Sequence, residues 1–339
     1  MELREAVHRA FRPASRPGRL GVEVELIPVT HIDPPRGVDP AQLAFGFDAD
    51  FVNAARPTFE PGGQLELSPP PRWSVAEVVA DVDRLLARAT SIAQARGIRL
   101  EAVGTNPYQS CADIPLRTPT PRYLAMQDEF DRVGSDGRRM MRLTASLQIS
   151  VDLLPGTAGV EQWLVANLAG PALTVAFANS TAIDGRPTAI PGARTRIWLG
   201  VDHRRTAYDG RNLDLADPIG AYASFAADAP RLRIPASADP AYHLSTLFPP
   251  VRPRGGYLEL RYLDAQSPQR FGVALATVAH LLYDRQARRD ALDLLRPTAG
   301  NLEQAWISAG AGHSPDAADL LSIAAAGRPA EMLVAGGAS

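Results

Sequence analysis

Three short stretches put acids on one face of a strand: GVEVEL (21–26), FEPGGQLELSPPP (59–71) and GYLELRYLDA (256–265). Side chains alternate across a pleated strand, so Glu23 and Glu25 point one way while Val22, Val24 and Leu26 point the other. By the same rule Gln64 and Glu66 share a face against Leu65 and Leu67, and Glu259 and Arg261 share one against Leu258, Leu260 and Tyr262. The Pro-Gly-Gly after Glu60 permits a turn or bulge that would bring Glu60 and Glu66 to the same cation. Carboxylates gathered on one sheet face must be neutralised, and hard divalent cations such as Mg²⁺ are the usual means. Glu23, Glu25, Glu60, Glu66 and Glu259 are therefore expected to hold magnesium. A solvated strand with incidental acids would alternate in the same way, so no single motif decides the matter.

The cations are as telling. The chain has 35 Lys plus Arg and no lysine at all, which excludes a Walker-A lysine, a Schiff-base lysine and a pyridoxal phosphate anchor. Any bound phosphate must then be held by arginine and metal. A Gly/Pro-rich segment from Asn179 to Arg205 is expected to deliver Arg194 and Arg196 on a short extended piece ending at Trp198, where guanidinium forks could take carboxylate or phosphate. Surface arginines in an arginine-only chain would look similar. The six histidines show neither HExxH nor paired spacing, and GxSxG and GxGxxG are absent, which argues against a zinc hydrolase, a serine hydrolase and a dinucleotide fold. Acids for Mg²⁺ with arginines for phosphate suggest ATP-dependent activation of a carboxylate, Arg261 stabilising the transferring phosphoryl group before an amine displaces phosphate. That is the chemistry of an amide ligase.

The elements that must position these residues can be read from periodicity. Ser74 and Glu77 fit a capping box, and Val75, Val78, Val79, Val82, Leu85, Leu86, Ala89 and Ile92 form a helical stripe stopped by Gly97. Further helices are expected over 161–178 with a kink near Pro171, over 273–283 and 286–295, and as a final pair after Asn301 and Ser314. Proline-rich loops are expected at 31–40, 113–121, 184–193, 229–240 and 248–256. From Arg142 to Asp152, Thr144, Ser146, Gln148, Ser150 and Asp152 alternate against Leu143, Ala145, Leu147, Ile149 and Val151. Short hydrogen-bonding groups suit a wet pocket better than open solvent does. The expected class is α+β, an antiparallel sheet whose concave face is the active site with helices behind. No linker is evident, so the 339 residues are expected to form a single catalytic domain.

Net charge is −2, which suggests neither nucleic acid nor an acidic membrane as partner. One cysteine, Cys111, rules out an intrachain disulfide and suits a reducing compartment. The charged N-terminus shows no secretory signal, and the longest uncharged run, 162–183, is too polar for a membrane span, so the expected location is cytoplasmic.

These motifs resemble the glutamate-cysteine ligases of the plant and bacterial type, and within them the actinobacterial branch that begins ergothioneine synthesis. The likeness runs through the three acidic motifs, RYLAM (122–126), TASLQISVD (144–152), the loop 179–198 and YHLSTLFPPVRPRGGYLELRYLDA (242–265). The resemblance implies a glutamine-synthetase-like fold, ATP and Mg²⁺ as cofactors, and glutamate and cysteine as substrates. It implies metal and phosphate roles for Glu23, Glu25, Glu60, Glu66 and Glu259, and a catalytic role for Arg261 with Glu259 beside it. It implies that Thr144 and Gln148 line a glutamate pocket and that Arg194, with Arg196 beside it, takes a glutamate carboxylate. The chain departs from the pattern at Ser150, where an asparagine is usual, and in a shortened segment between Asp202 and Tyr242. A different amine acceptor, a guanidino phosphotransferase of the same broad fold, or a non-catalytic glutamate and nucleotide binder are the alternatives.

Overall fold

The computed structural model describes residues 2–326. Its main sheet has seven strands, β1 (Leu20–Thr30), β2 (Thr58–Phe59), β3 (Leu65–Leu67), β4 (Ile98–Glu101), β5 (Ser146–Asp152), β8 (Val251–Pro253) and β9 (Tyr257–Asp264); β6 (Ala182–Ile183) and β7 (Arg186–Pro187) form a separate small hairpin. The order is β2-β3-β1-β5-β9-β8, with β4 pairing the far end of β1, and every pairing is antiparallel.

The two faces of the sheet differ as the alternation requires. Val22, Val24, Leu26, Leu65, Leu67, Leu147, Ile149, Val151, Leu258, Leu260 and Tyr262 are buried in one large apolar cluster, with the helices Val75–Gln94, Gly156–Leu168 and Pro268–Tyr283 packed behind. The other face carries the acids and amides. The expected α+β class with helices behind an antiparallel sheet is thus observed.

The helix Val75–Gln94 has both halves of its capping box: Ser74 Oγ accepts from Glu77 N–H at 3.2 Å and the Glu77 carboxylate accepts from Ser74 N–H at 3.1 Å. The expected kink near Pro171 is a break at Ala169 between the helices Gly156–Leu168 and Gly170–Ala176, with Pro171 in the first turn of the second, where no N–H is needed. Helices at Pro268–Tyr283, Arg285–Leu295, Leu302–Gly310 and Ala317–Ala326 match those expected late in the chain. Among the described residues no helix is long and apolar enough to cross a membrane.

Three expectations are corrected. The loops expected at 184–193 and 248–256 contain strands, Arg186–Pro187 (β7) and Val251–Pro253 (β8). The polar strand begins at Ser146 rather than Arg142, because residues Asp136–Leu143 form a helix that buries Met140, Met141 and Leu143. Thr144 ends that helix, donating its hydroxyl to the Met140 carbonyl at 2.7 Å. The segment expected to extend through Arg194 and Arg196 is the helix Ala193–Leu199.

Candidate functional site

The acidic wall follows from strand register. Glu23 lies opposite Gln148 across the β1–β5 pair, and Glu25 lies opposite Glu66 across β1–β3. Glu60 comes to the same place through the Pro-Gly-Gly turn, in which Glu60 N–H donates to the Gln64 carbonyl at 2.9 Å and Gly63 N–H to the Glu60 carbonyl at 2.8 Å. Gly62 is packed on the Arg142 backbone so closely that a Cβ would sit 2.3 Å from its carbonyl oxygen, and Gly63 has φ +94°. Only glycines make this turn.

Glu23, Glu25, Glu60, Gln64 and Glu66 line one cavity of about 170 Å³. Glu25 is well partnered: its carboxylate accepts from Ser146 N–H and Oγ, each at 2.8 Å, and from Gln148 Nε2 at 3.0 Å. The others are not. Burial, then the nearby Glu259 charge, pushes Glu23 up to about 7. Burial and Glu25 push Glu60 up to about 7, and burial and Glu23 push Glu66 up to about 9, although Thr58 Oγ1 donates to it at 2.8 Å. Like charges at this spacing resist ionisation together.

The facing wall is cationic. Register places Arg252 on β8 opposite Glu259 on β9, and Arg252 Nη2 reaches Glu259 Oε1 at 2.7 Å. Arg254 lies 3.5 Å from Oε2, and Arg261 closes on Oε1. Burial pushes the Glu259 carboxyl up, but the three arginines outweigh it and hold it at about 2. Glu259 does not line the cavity. It sits behind Arg261 with its oxygens engaged, so the structure places four of the five expected acids on one wall and gives the fifth to the arginines. Arg261 Nη1 also donates to Gln148 Oε1 at 2.5 Å and packs over Phe248, its guanidinium carbon 5.8 Å from the ring centre. Gln148 therefore joins the two walls, its amide nitrogen on Glu25 and its amide oxygen on Arg261.

Of the remaining expected residues, Thr144 and Gln148 line the cavity. Arg194 lines it too, yet Nη1 donates to the Tyr262 carbonyl at 3.0 Å and Nη2 to the Arg261 carbonyl at 2.7 Å. Arg196 does not share the site. Two residues on in a helix is about 200° of rotation, and Arg196 Nη1 donates to the Gly310 carbonyl at 2.9 Å instead. Sequence reasoning gave no role to Arg122, Tyr123 and Met126 of the helix Pro121–Phe130, or to Met140, Met141, Trp198, Phe248 and Arg252, all of which line the cavity. RYLAM and the 242–265 stretch were the available signals for several of them. A neighbouring pocket of about 300 Å³ shares Glu23 and is lined by Arg19, Arg56, Ser68, Pro69, Pro70, Pro71, Ser150, Asp152 and Tyr257.

Among the described residues, no three His, Cys, Asp or Glu side chains form a ready cage for one ion. The chemistry fits Mg²⁺ nonetheless: Glu23, Glu25, Glu60 and Glu66 offer only hard oxygen donors, and three of them are pushed up by burial and by the neighbouring carboxylates. Acids without cations face arginines with anion-binding capacity across one small cavity.

The family model for glutamate-cysteine ligase family 2 (GCS2) matches residues 19–316. The glutamate–cysteine ligase EgtA of Mycolicibacterium smegmatis is 31% identical over 316 residues, covering 83% of this chain and 73% of that protein. The chloroplastic glutamate–cysteine ligase of Arabidopsis thaliana is 28% identical over 266 residues, covering 70% of this chain and 51% of that protein. Among solved structures, a glutamate–cysteine ligase of Francisella tularensis in complex with AMP aligns with TM-score 0.40 at 13% identity, over 95% of this chain and 83% of that one. With the family model spanning all the strands of the site and a relative above 30% identity, the chain belongs to glutamate-cysteine ligase family 2.

Proposed function

We propose that the protein is an ATP-dependent ligase joining the γ-carboxylate of glutamate to the amino group of cysteine, yielding γ-glutamylcysteine, ADP and phosphate. The observation that carries this reading is the cavity itself, where Glu23, Glu25, Glu60 and Glu66 confront Arg122, Arg252 and Arg261. Family membership supports the substrate pair. Such a product suits the first step toward ergothioneine or another low-molecular-weight thiol.

The reaction has two stages. A γ-carboxylate oxygen bonds to the γ-phosphorus of ATP and ADP leaves; the amine nitrogen then bonds to the acyl carbon, phosphate leaves, and the amine gives up a proton. Each stage brings anions together, so positive charge must be fixed in advance. Arg261 reaches into the cavity as the phosphoryl-stabilising group, and Gln148 and Glu259 hold its guanidinium in place. Mg²⁺, held by Glu23, Glu25, Glu60 and Glu66, would supply charge neutralisation at the nucleotide phosphates. Thr144 and Gln148 border the glutamate site, and the proline-walled neighbouring pocket suits the nucleotide base and sugar.

The chain acts as one catalytic domain in this reading, which its continuous apolar cluster from Val7 to Ala324 supports. A cytosolic setting suits its single free thiol. The test is ADP release by purified protein with ATP, Mg²⁺, glutamate and a panel of amines, with the product identified by mass. Release that depends on cysteine supports the proposal; release that depends on another amine changes the acceptor; no release with any amine ends the ligase reading.

A further inference from the structure

We infer that Arg205 is a positioning residue: from outside the cavity it fixes the segment 246–250 that enters β8, and through it the Phe248 ring against which the Arg261 guanidinium rests. The kinetic half of this inference rests on the ligase reading; the structural half does not.

The guanidinium of Arg261 is bonded through one nitrogen. Nη1 donates both to Gln148 Oε1 and to Glu259 Oε1, while Nε is buried without a partner. Two bonds from one nitrogen leave the fork free to swing about it, so a further restraint must come from the face of the group. Phe248 supplies it, its ring centre 5.8 Å from the guanidinium carbon and within cation–π range. The same segment holds the Arg261 backbone, since Arg261 N–H donates to the Pro250 carbonyl at 2.9 Å. Pro249 and Pro250 have fixed φ, so the ring contact and the backbone contact move together.

What holds Phe248 lies behind the cavity. Arg205, on the helix His203–Thr206, is 0% exposed and lines neither the cavity nor the neighbouring pocket. Its carbonyl accepts from Phe248 N–H at 2.8 Å. Nη2 donates to the Thr246 carbonyl at 2.6 Å and Nη1 to the Pro230 carbonyl, so one side chain ties the chain just after the helix Pro218–Asp228 to the segment entering β8. The Arg205 guanidinium carbon also lies 5.9 Å from the Phe130 ring centre, and Phe130 meets Phe248 edge-on with centres 6.4 Å apart.

Arg122 and Arg252 take the Ser245 carbonyl, at 2.8 and 3.2 Å. Among the described residues, only Arg205 donates to the Thr246 carbonyl. Burial pushes Arg205 down to about 10. A cation desolvated onto two carbonyls and a ring carries a cost that no bonded acid offsets. What it provides is geometry: a planar fork spans two separate carbonyls, and a lysine ammonium, a single point, does not.

A residue that acts through Phe248 has nothing to act through once that ring is gone, whereas a merely structural arginine would add its own loss. Wild type, Arg205→Lys, Phe248→Leu and the double variant are compared for kcat of ADP release at saturating substrates, and for amide exchange at Phe248 and Arg261. Each single variant is expected to lower kcat about tenfold, the scale of a desolvated cation–π contact. The double variant should match Phe248→Leu within about twofold, whereas independent effects would multiply to about 100-fold. In Arg205→Lys, exchange at both amides should speed up about fivefold, the scale of one hydrogen bond. Multiplying losses in the double variant would overturn the inference, and so would exchange identical to wild type. If Arg205→Lys does not fold, Phe130→Leu removes the ring between Arg205 and Phe248 and carries the same measurements: a lower kcat with faster exchange upholds the inference, and wild-type values overturn it. If wild type itself releases no ADP with any amine, the ligase reading falls, and exchange at Phe248 and Arg261 alone upholds or overturns the structural half.

Discussion

Strands β1 and β3 on one side of the cavity and β9 on the other both carry desolvated glutamates, and Glu23 and Glu66 are driven in the opposite direction to Glu259. Glu66, facing Glu23, Glu25 and Glu60, is pushed up to about 9, whereas Glu259, ringed by Arg252, Arg254 and Arg261, is held at about 2. Both are desolvated, so burial does not distinguish them. Counter-charge does. The β1–β3 wall carries acids with no arginine of its own; the β8–β9 wall is internally neutralised around Glu259 and presents Arg261 to the cavity.

The most severe way to break this contrast is to remove its cationic tip. Arg261→Ala is expected to lower kcat by about 10³-fold or more, in the range known for arginines that stabilise a transferring phosphoryl group, and steady-state ADP release reads it. Next, Glu259→Gln leaves three arginines with one carboxylate fewer in a buried place and is expected to cost about 3–5 kcal/mol of stability, seen as a lower urea midpoint. The mirror change on the other wall has the opposite sign. Glu66→Gln relieves repulsion, so the metal-free protein is expected to melt a few degrees higher, about 2–4 °C, while the rise in Tm produced by added Mg²⁺ shrinks.

A pH series sharpens the same comparison. Glu23, Glu60 and Glu66 have folded pKa values above their ordinary carboxylate range, so between about 4.5 and about 7, and up to about 9 for Glu66, the folded state holds more protons than the unfolded one. Stability of the metal-free protein therefore falls as pH rises through that window. Melting curves across it should show the fall, and millimolar Mg²⁺ should reduce it; a flat profile without metal would contradict the repulsive wall. The smallest effect is expected at Arg196, which faces Gly310 rather than the cavity: Arg196→Ala should change kcat/KM by less than about threefold, as for substitutions away from a site.

Much of the site was legible because strand alternation is local. Glu23 with Glu25, and Gln64 with Glu66, face one cavity as the two-residue period requires, and the capping box at Ser74 and Glu77 formed as written. What was misread depended on distant partners. Thr144 continued the polar alternation of β5, but burial of Met140, Met141 and Leu143 made the preceding turn a helix. Arg194 and Arg196 differ by two positions, which means the same side on a strand and nearly opposite sides on the helix that forms. Asp-Pro pairs at 39–40, 217–218 and 239–240 lay in or near segments read as loops or left unassigned, yet each aspartate caps a short helix.

By itself the sequence determined the α+β class, the family, the acidic face and the need for arginine rather than lysine at any phosphate, because alternation, residue type and long motifs are properties of the chain alone. Tertiary structure alone decided that Glu259 belongs to the arginines, since Arg252 and Arg254 come against it only when β8 folds back along β9. It also decided that Arg194 lines the cavity while Arg196 turns to the Gly310 carbonyl, because the segment folds as a helix and two positions on a helix are about 200° of rotation apart.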